Sequence, residues 1–134
     1  MDFASIRVVT DDVEGMVGFY EQATGLTATW YTDDFVELTT PSCTLAIAHT
    51  RTIDMFAAGA AQAAANRSTI IEFRVTNVDK EFEHLKEVVS EFVQEPTTMP
   101  WGNRSLLFRD PDDNLVNFFA PVSPEAIKKF RNVV

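Results

Sequence analysis

The sequence predicts an α+β fold made of two similar βαβ-rich halves in a single domain. A β-branched strand that runs into an amphipathic helix opened by a polar capping residue occurs twice. Each copy is followed by short strand-like runs broken by turn formers. The length, 134 residues, suits one domain.

In the first half, Ser5–Thr10 reads as a strand because Val8, Val9 and Thr10 are β-branched. Asp11-Asp12 opens a helix, and Glu14, three residues after Asp11, completes a capping box. Val13, Met16, Val17 and Tyr20 then recur at helical spacing and form one apolar face. Gly25 closes the helix from the position where a left-handed residue is needed. Strand-like runs follow at Thr27–Tyr31, Phe35–Thr39 and Thr44–His49, separated by Thr32-Asp33-Asp34 and Pro41-Ser42.

The second half repeats the plan. Thr69–Val75 alternates as a strand, with Ile71, Phe73 and Val75 on one face. A helix beginning near Asn77 carries Val78, Phe82, Leu85 and Val89, and strand-like pieces follow at Phe92–Gln94, Ser105–Phe108 and Leu115–Phe119. Asp12 and Asn77 stand 65 residues apart, and the same offset superposes Val13 on Val78 and Val17 on Phe82. The repeat is therefore one of pattern rather than of residue identity. The expected boundaries are module one at about 3–50, a linking helix at about 52–66, module two at about 68–121 and a C-terminal helix at about 123–132. The linking helix rests on alanine content, with Gly59 weakening it, and a mobile lid is the other reading of that segment. Ser123-Pro124-Glu125 starts the last helix well, with proline at its first position.

Composition narrows the functions. Net charge is −9, which repels phosphate backbones and makes nucleic acid a poor partner. The same charge serves solubility or favours cationic ligands. No apolar run is long enough for a membrane span, and the first residues lack the marks of a signal peptide, so a cytoplasmic location is expected. Cys43, the only cysteine, excludes an intramolecular disulfide and a multi-cysteine zinc site. Gly-rich phosphate loops, G-x-S-x-G and H-E-x-x-H are missing.

Two stretches carry a family resemblance. Arg7-Val8-Val9-Thr10-Asp11-Asp12-Val13, continued by Phe19-Tyr20 and Gly25-Leu26, resembles the opening of vicinal oxygen chelate proteins. Trp101-Gly102-Asn103-Arg104, followed by Phe108-Arg109-Asp110-Pro111-Asp112-Asp113-Asn114-Leu115, resembles the closing segment of that superfamily, which includes glyoxalase I, bleomycin-resistance proteins and extradiol dioxygenases. Asp113 departs from the glycine usual in the closing turn. The resemblance implies two βαβββ modules forming an incomplete curled barrel around a cavity, with the modules paired within one chain or between subunits. In metal-dependent members, ligands come from the first and last strands of each module. The corresponding positions here are Ser5, Ile47, Ile70 and Asn117. Isoleucine offers no donor, and neutral serine and asparagine oxygens are weak ones, so no metal or other cofactor is expected.

Strand alternation puts Ser5, Arg7 and Val9 on one face, and Ile70, Glu72 and Arg74 on another, as cavity candidates. Arg7 and Glu72 share the 65-residue offset, and an ion pair between them is expected. Such a pair is either structural or a ligand anchor, since guanidinium groups bind carboxylate, carbonyl and phosphate oxygens directionally. His49 shares parity with Leu45 and Ile47 and is a candidate for the cavity rim; with Glu72 it is the weak candidate for acid/base catalysis. Trp30 and Trp101 flank loops and suit either the core or stacking on a flat or cationic ligand.

The expected ligand-binding set is thus Ser5, Arg7, Trp30, His49, Glu72, Arg74, Trp101 and Asn117. The expected function is metal-free binding of a small, partly aromatic or cationic molecule, as in the bleomycin-resistance branch. The alternative is a glyoxalase-like lyase or isomerase acting on a carbonyl substrate, with a nonstandard divalent metal or an acid/base site. A homodimer is expected, because antiparallel edges and the C-terminal segment need cover.

Overall fold

The structure, a computed structural model, describes residues 1–131. The elements run β1 (Ser5–Thr10), α1 (Val13–Thr24), β2 (Thr29–Thr32), β3 (Phe35–Thr39), β4 (Thr44–His49) and α2 (Arg51–Ala57). They continue with β5 (Ile70–Arg74), α3 (Val78–Leu85), β6 (Phe92–Thr98), β7 (Asn103–Arg109), β8 (Leu115–Pro121) and α4 (Pro124–Phe130). The fold is α+β, with two βαβββ modules. The described residues form two compact units, one of residues 1–66 with 111–113, the other of 67–110 with 114–131.

Each unit holds one four-stranded mixed sheet, ordered β1-β4-β3-β2 in the first and β5-β8-β7-β6 in the second. In both, the first strand pairs in parallel with the last, and the remaining neighbours are antiparallel. Parallel pairing requires a long crossover, which the helix and the two intervening strands supply.

In unit one, register places Ile6, Val8, Leu45, Ile47, Val36 and Leu38 on one face. The buried stripe of α1, Val13, Met16, Val17, Tyr20 and Ala23, packs against β4 to cover it. In unit two, Phe73, Phe118 and Phe108 stack edge-on across the sheet, and Phe82 of α3 packs on Phe92. Arg104, on the same face, makes a two-pronged bond to Asp79 in the first turn of α3, with both contacts at 2.8 Å. Each sheet thus has a helix-covered face and a far face.

Several boundaries differ from the sequence reading. The N-cap of α1 is Asp12, whose carboxylate accepts from Gly15 N–H, so the Asp11–Glu14 capping box does not form. Gly15 suits this role because a Cβ there would collide with the Asp12 carboxylate. The linking helix is only α2, ending at Ala57, with Gly59 and Ala64 at positive φ beyond it. None of its residues is buried, and alanine propensity without an apolar face to bury does not sustain a long helix. β6 runs through Pro96 to Thr98, further than read. It is an edge strand whose register slips between Gln94 and Thr97, and an edge bulge is where a sheet tolerates proline. The last helix ends at Phe130, and the expected extension to residue 132 lies outside the described residues.

The turn joining β7 and β8 is held by Asp110, which is 4% exposed. Its carboxylate accepts from Asn114 N at 3.0 Å and Asn114 Nδ2 at 2.8 Å. Asp113 takes the left-handed backbone, φ 64°, that the family's glycine would take. Gly102 also has positive φ, and a Cβ there would overlap Ser123 Oγ, the side-chain cap of α4.

Two outcomes are expected in urea denaturation. Asp110→Ala should lower stability by about 2–3 kcal/mol, since it removes two buried hydrogen bonds to a charged acceptor. Gly102→Ala should cost about 2–3 kcal/mol through backbone strain and displacement of the Ser123 cap. A change below half a kcal/mol in either variant would contradict the role given to that residue.

Candidate functional site

The far face of each sheet carries most of the polar candidates. In unit two, Glu72 and Asn117 are direct partners across the parallel β5–β8 ladder and lie on the side away from α3. Asn117 Nδ2 donates to Glu72 Oε2 at 2.7 Å. Asn117 is 8% exposed, and its Oδ1 is buried with no hydrogen-bond partner among the described residues. The carboxylate fixes this orientation of the amide, because only the NH2 end can donate to it. A buried acceptor left unpaired is costly, of order 1–3 kcal/mol, and marks a place where a donor is wanted. Glu72 itself is exposed.

Arg74 lies on the same face, one step along from Glu72 and opposite Phe119. Its guanidinium donates to the Phe130 carbonyl at 3.1 Å and sits 5.7 Å from the centre of the Phe130 ring.

In unit one, Ser5 and Arg7 share the far face with Ala46 and Ala48. Arg7 stands over Phe35, 5.5 Å from the ring centre, and Tyr31 packs beside Phe35. Glu37 is cross-strand from Ala46 and so belongs to the same face. Its carboxylate accepts from the Tyr31 hydroxyl; that bond and the nearby negative charge push the phenol pKa up.

The expected set is therefore only partly brought together. Glu72, Arg74 and Asn117 share one face of unit two, and Ser5 and Arg7 share one face of unit one. His49 does not join Arg7: it is cross-strand from Thr10, on the α1 side of the sheet. Its Nδ1 accepts from Arg51 N at 3.1 Å, which makes the ring part of the turn into α2. Trp30 pairs with Val36, so it too points to the α1 side, at the edge strand, with 45% of its surface exposed. Trp101 occupies the turn between β6 and β7 and is 66% exposed. Each charged candidate has a partner within its own unit, Phe35 for Arg7 and Asn117 for Glu72.

The position assigned to Ile47 is corrected by register. β1 sets Arg7 opposite Ala46, as β5 sets Glu72 opposite Asn117, so Ala46 is the first-module counterpart of Asn117. Ile47, fully buried, faces the helix. Sequence reasoning also missed Glu37. Alternation within β3 groups it with Phe35, but only the strand order brings that row beside Arg7.

Paired βαβββ modules of this topology define a recognisable class. A family model described as the Glyoxalase/Bleomycin resistance protein/Dioxygenase superfamily matches residues 2–118, and the chain belongs to that superfamily. No curated protein matches significantly. Solved structures share the fold at low identity. A glyoxalase/bleomycin resistance protein/dioxygenase from Nocardioides is 23% identical, with a TM-score of 0.75 over 92% of this chain and 85% of its own. A protein of unknown function from Agrobacterium tumefaciens is 22% identical, with a TM-score of 0.78 over 91% of this chain and 95% of its own. A family enzyme from Burkholderia phytofirmans is 15% identical, with a TM-score of 0.78 over 91% of this chain and 100% of its own.

The divalent metal of metal-dependent relatives does not fit these residues. The relevant pair is Ser5 and Ala46 in unit one, and Ile70 and Asn117 in unit two, so neither pair supplies two donors. Adding Glu72 gives one carboxylate beside one amide, short of the roughly three protein donors a catalytic centre uses. Among the described residues, no group of three or more His, Cys, Asp and Glu side chains is arranged to hold a metal ion.

The Tyr31–Glu37 bond makes a pH prediction. A raised phenol pKa means that the bond stabilises the fold at neutral pH and that this contribution is lost as pH rises through the raised value. Tyr20, the other tyrosine, is fully buried. Phenolate absorbance during alkaline titration should place the Tyr31 transition above the ordinary phenol range, and Glu37→Gln should move it to lower pH. No movement would remove Glu37 as the cause.

Proposed function

We propose that the protein binds a small, partly aromatic cation without a metal, and that Glu72 and Asn117 are its anchor. The observation that carries this reading is the buried, unpartnered Asn117 Oδ1 beside the Glu72 carboxylate. Both atoms are acceptors, so the complementary ligand brings N–H donors, and the carboxylate favours a positive charge on them. An amidinium or guanidinium group meets both requirements with two donors in one plane. The overall charge of −9 draws such ligands in at long range. Arg7, held over Phe35 on the far face of the first sheet, supplies a polar and aromatic surface of its own.

The other reading is a glyoxalase-like enzyme acting on a carbonyl compound. It is favoured by the exposed Glu72 carboxylate, whose orientation Asn117 fixes, an arrangement suited to taking a proton. In that role Glu72 would work as a base without His49, which is engaged in the turn into α2.

Benzamidine tests the binding reading, with benzamide and benzoate as neutral and anionic analogues. A ligand specific for the native state raises the melting midpoint by linkage. Benzamidine should raise it, the two analogues should not, and Glu72→Gln should abolish the rise. Equal rises with benzoate, or a rise that survives Glu72→Gln, would overturn the anchor.

A further inference from the structure

We infer that helix α4 acts as a strap that keeps Arg74 away from Glu72 and so leaves the carboxylate of the proposed ligand anchor uncompensated and open to a ligand. The inference rests on the binding reading above and adds a control element to it. Glu72 and Arg74 are two residues apart on one strand and point to the same face. At about 3.3 Å of rise per residue their Cα atoms are about 6.6 Å apart. An arginine side chain spans that distance easily, so the default partner of Arg74 is the carboxylate of Glu72.

The structure shows a different arrangement. Arg74 Nη1 donates to the carbonyl of Phe130, in the last turn of α4, and the guanidinium lies over the Phe130 ring. That ring in turn packs on Phe119, 5.4 Å between centres, and Phe119 is the cross-strand neighbour of Arg74. The Arg74 guanidinium, the Phe130 ring and Phe119 therefore form one cluster on the far face, a single row away from Glu72 and Asn117. The start of α4 is fixed by the bonds from Val122 N and Ser123 N to the Gly102 carbonyl, and Ala126 is buried. With α4 docked, Arg74 is drawn to the strap, and Glu72 keeps its bond from Asn117 with no cation among the described residues compensating its charge. With α4 released, Arg74 is expected to swing to Glu72 and compete with any cation for the same oxygens. Helix docking and cation binding are thus coupled through one side chain.

Double-mutant cycles on the full chain separate this from a merely structural role. The stability coupling between Arg74 and Glu72, measured with Arg74→Gln and Glu72→Gln, should be near zero in the native background and favourable in a Phe130→Ala background. Phe130→Leu, which keeps apolar cover on Phe119 but removes the aromatic face, gives the same direction if Phe130→Ala does not fold. In benzamidine titrations, Phe130→Ala should weaken binding about three- to fivefold, the scale of an exposed charge pair, and adding Arg74→Gln should restore it. An unchanged coupling in both Phe130 backgrounds overturns the strap. A coupling that appears while benzamidine affinity ignores Glu72 supports the strap and overturns the anchor instead.

Discussion

Parallel pairing between the first and last strand of each module is the constraint on which the rest of the structure depends. It places β4 and β8 at interior positions of their sheets and forces the intervening chain to cross over as helix plus meander. Because directly paired residues share a face, it also decides which side chains stand together. Glu72 meets Asn117 through this pairing and nothing else, since the two stand 45 positions apart in the sequence. The same rule in the first module puts Ala46 beside Arg7, so the position that matches Asn117 carries no polar group there.

The two faces of each sheet are chemically different, and that difference is what a binding site needs. The helix-covered faces are filled by aliphatic and phenylalanine side chains whose packing holds the strands rigid. Polar groups on the far faces are thereby carried on a scaffold that does not yield. Arg104 and Asp79 contribute little energy as an exposed pair, yet they fix how α3 lies on its sheet. Its guanidinium also holds the Asp79 carboxyl below the usual carboxylate range.

Family membership sets the scaffold and leaves the chemistry to the side chains. Where metal-dependent relatives need strong donors, this chain presents serine, alanine, isoleucine and asparagine. The carboxylate at Glu72 stands beside the asparagine rather than in its place. One amide and one carboxylate make a pair of acceptors, and acceptors recognise donors. The binding proposal follows from that asymmetry rather than from the superfamily.

Much of this was legible in the sequence. Periodicity and capping residues determined the repeated strand–helix–strands plan, the starts of α3 and α4, and the alternation that sets Ser5 with Arg7 and Glu72 with Arg74. These are local properties, fixed by the 2.0 and 3.6 residue periods of the backbone. The tertiary structure alone decided three things. It set the register of β1 against β4, which moved the counterpart of Asn117 from Ile47 to Ala46 and His49 to the helix side. It ended α2 at Ala57, because alanine propensity has no buried face to reward it there. It carried Phe130 back onto Phe119 and Arg74. Each of these depends on pairing between distant segments, and a one-residue shift in such pairing turns a side chain to the opposite face. No local pattern in the chain specifies that shift.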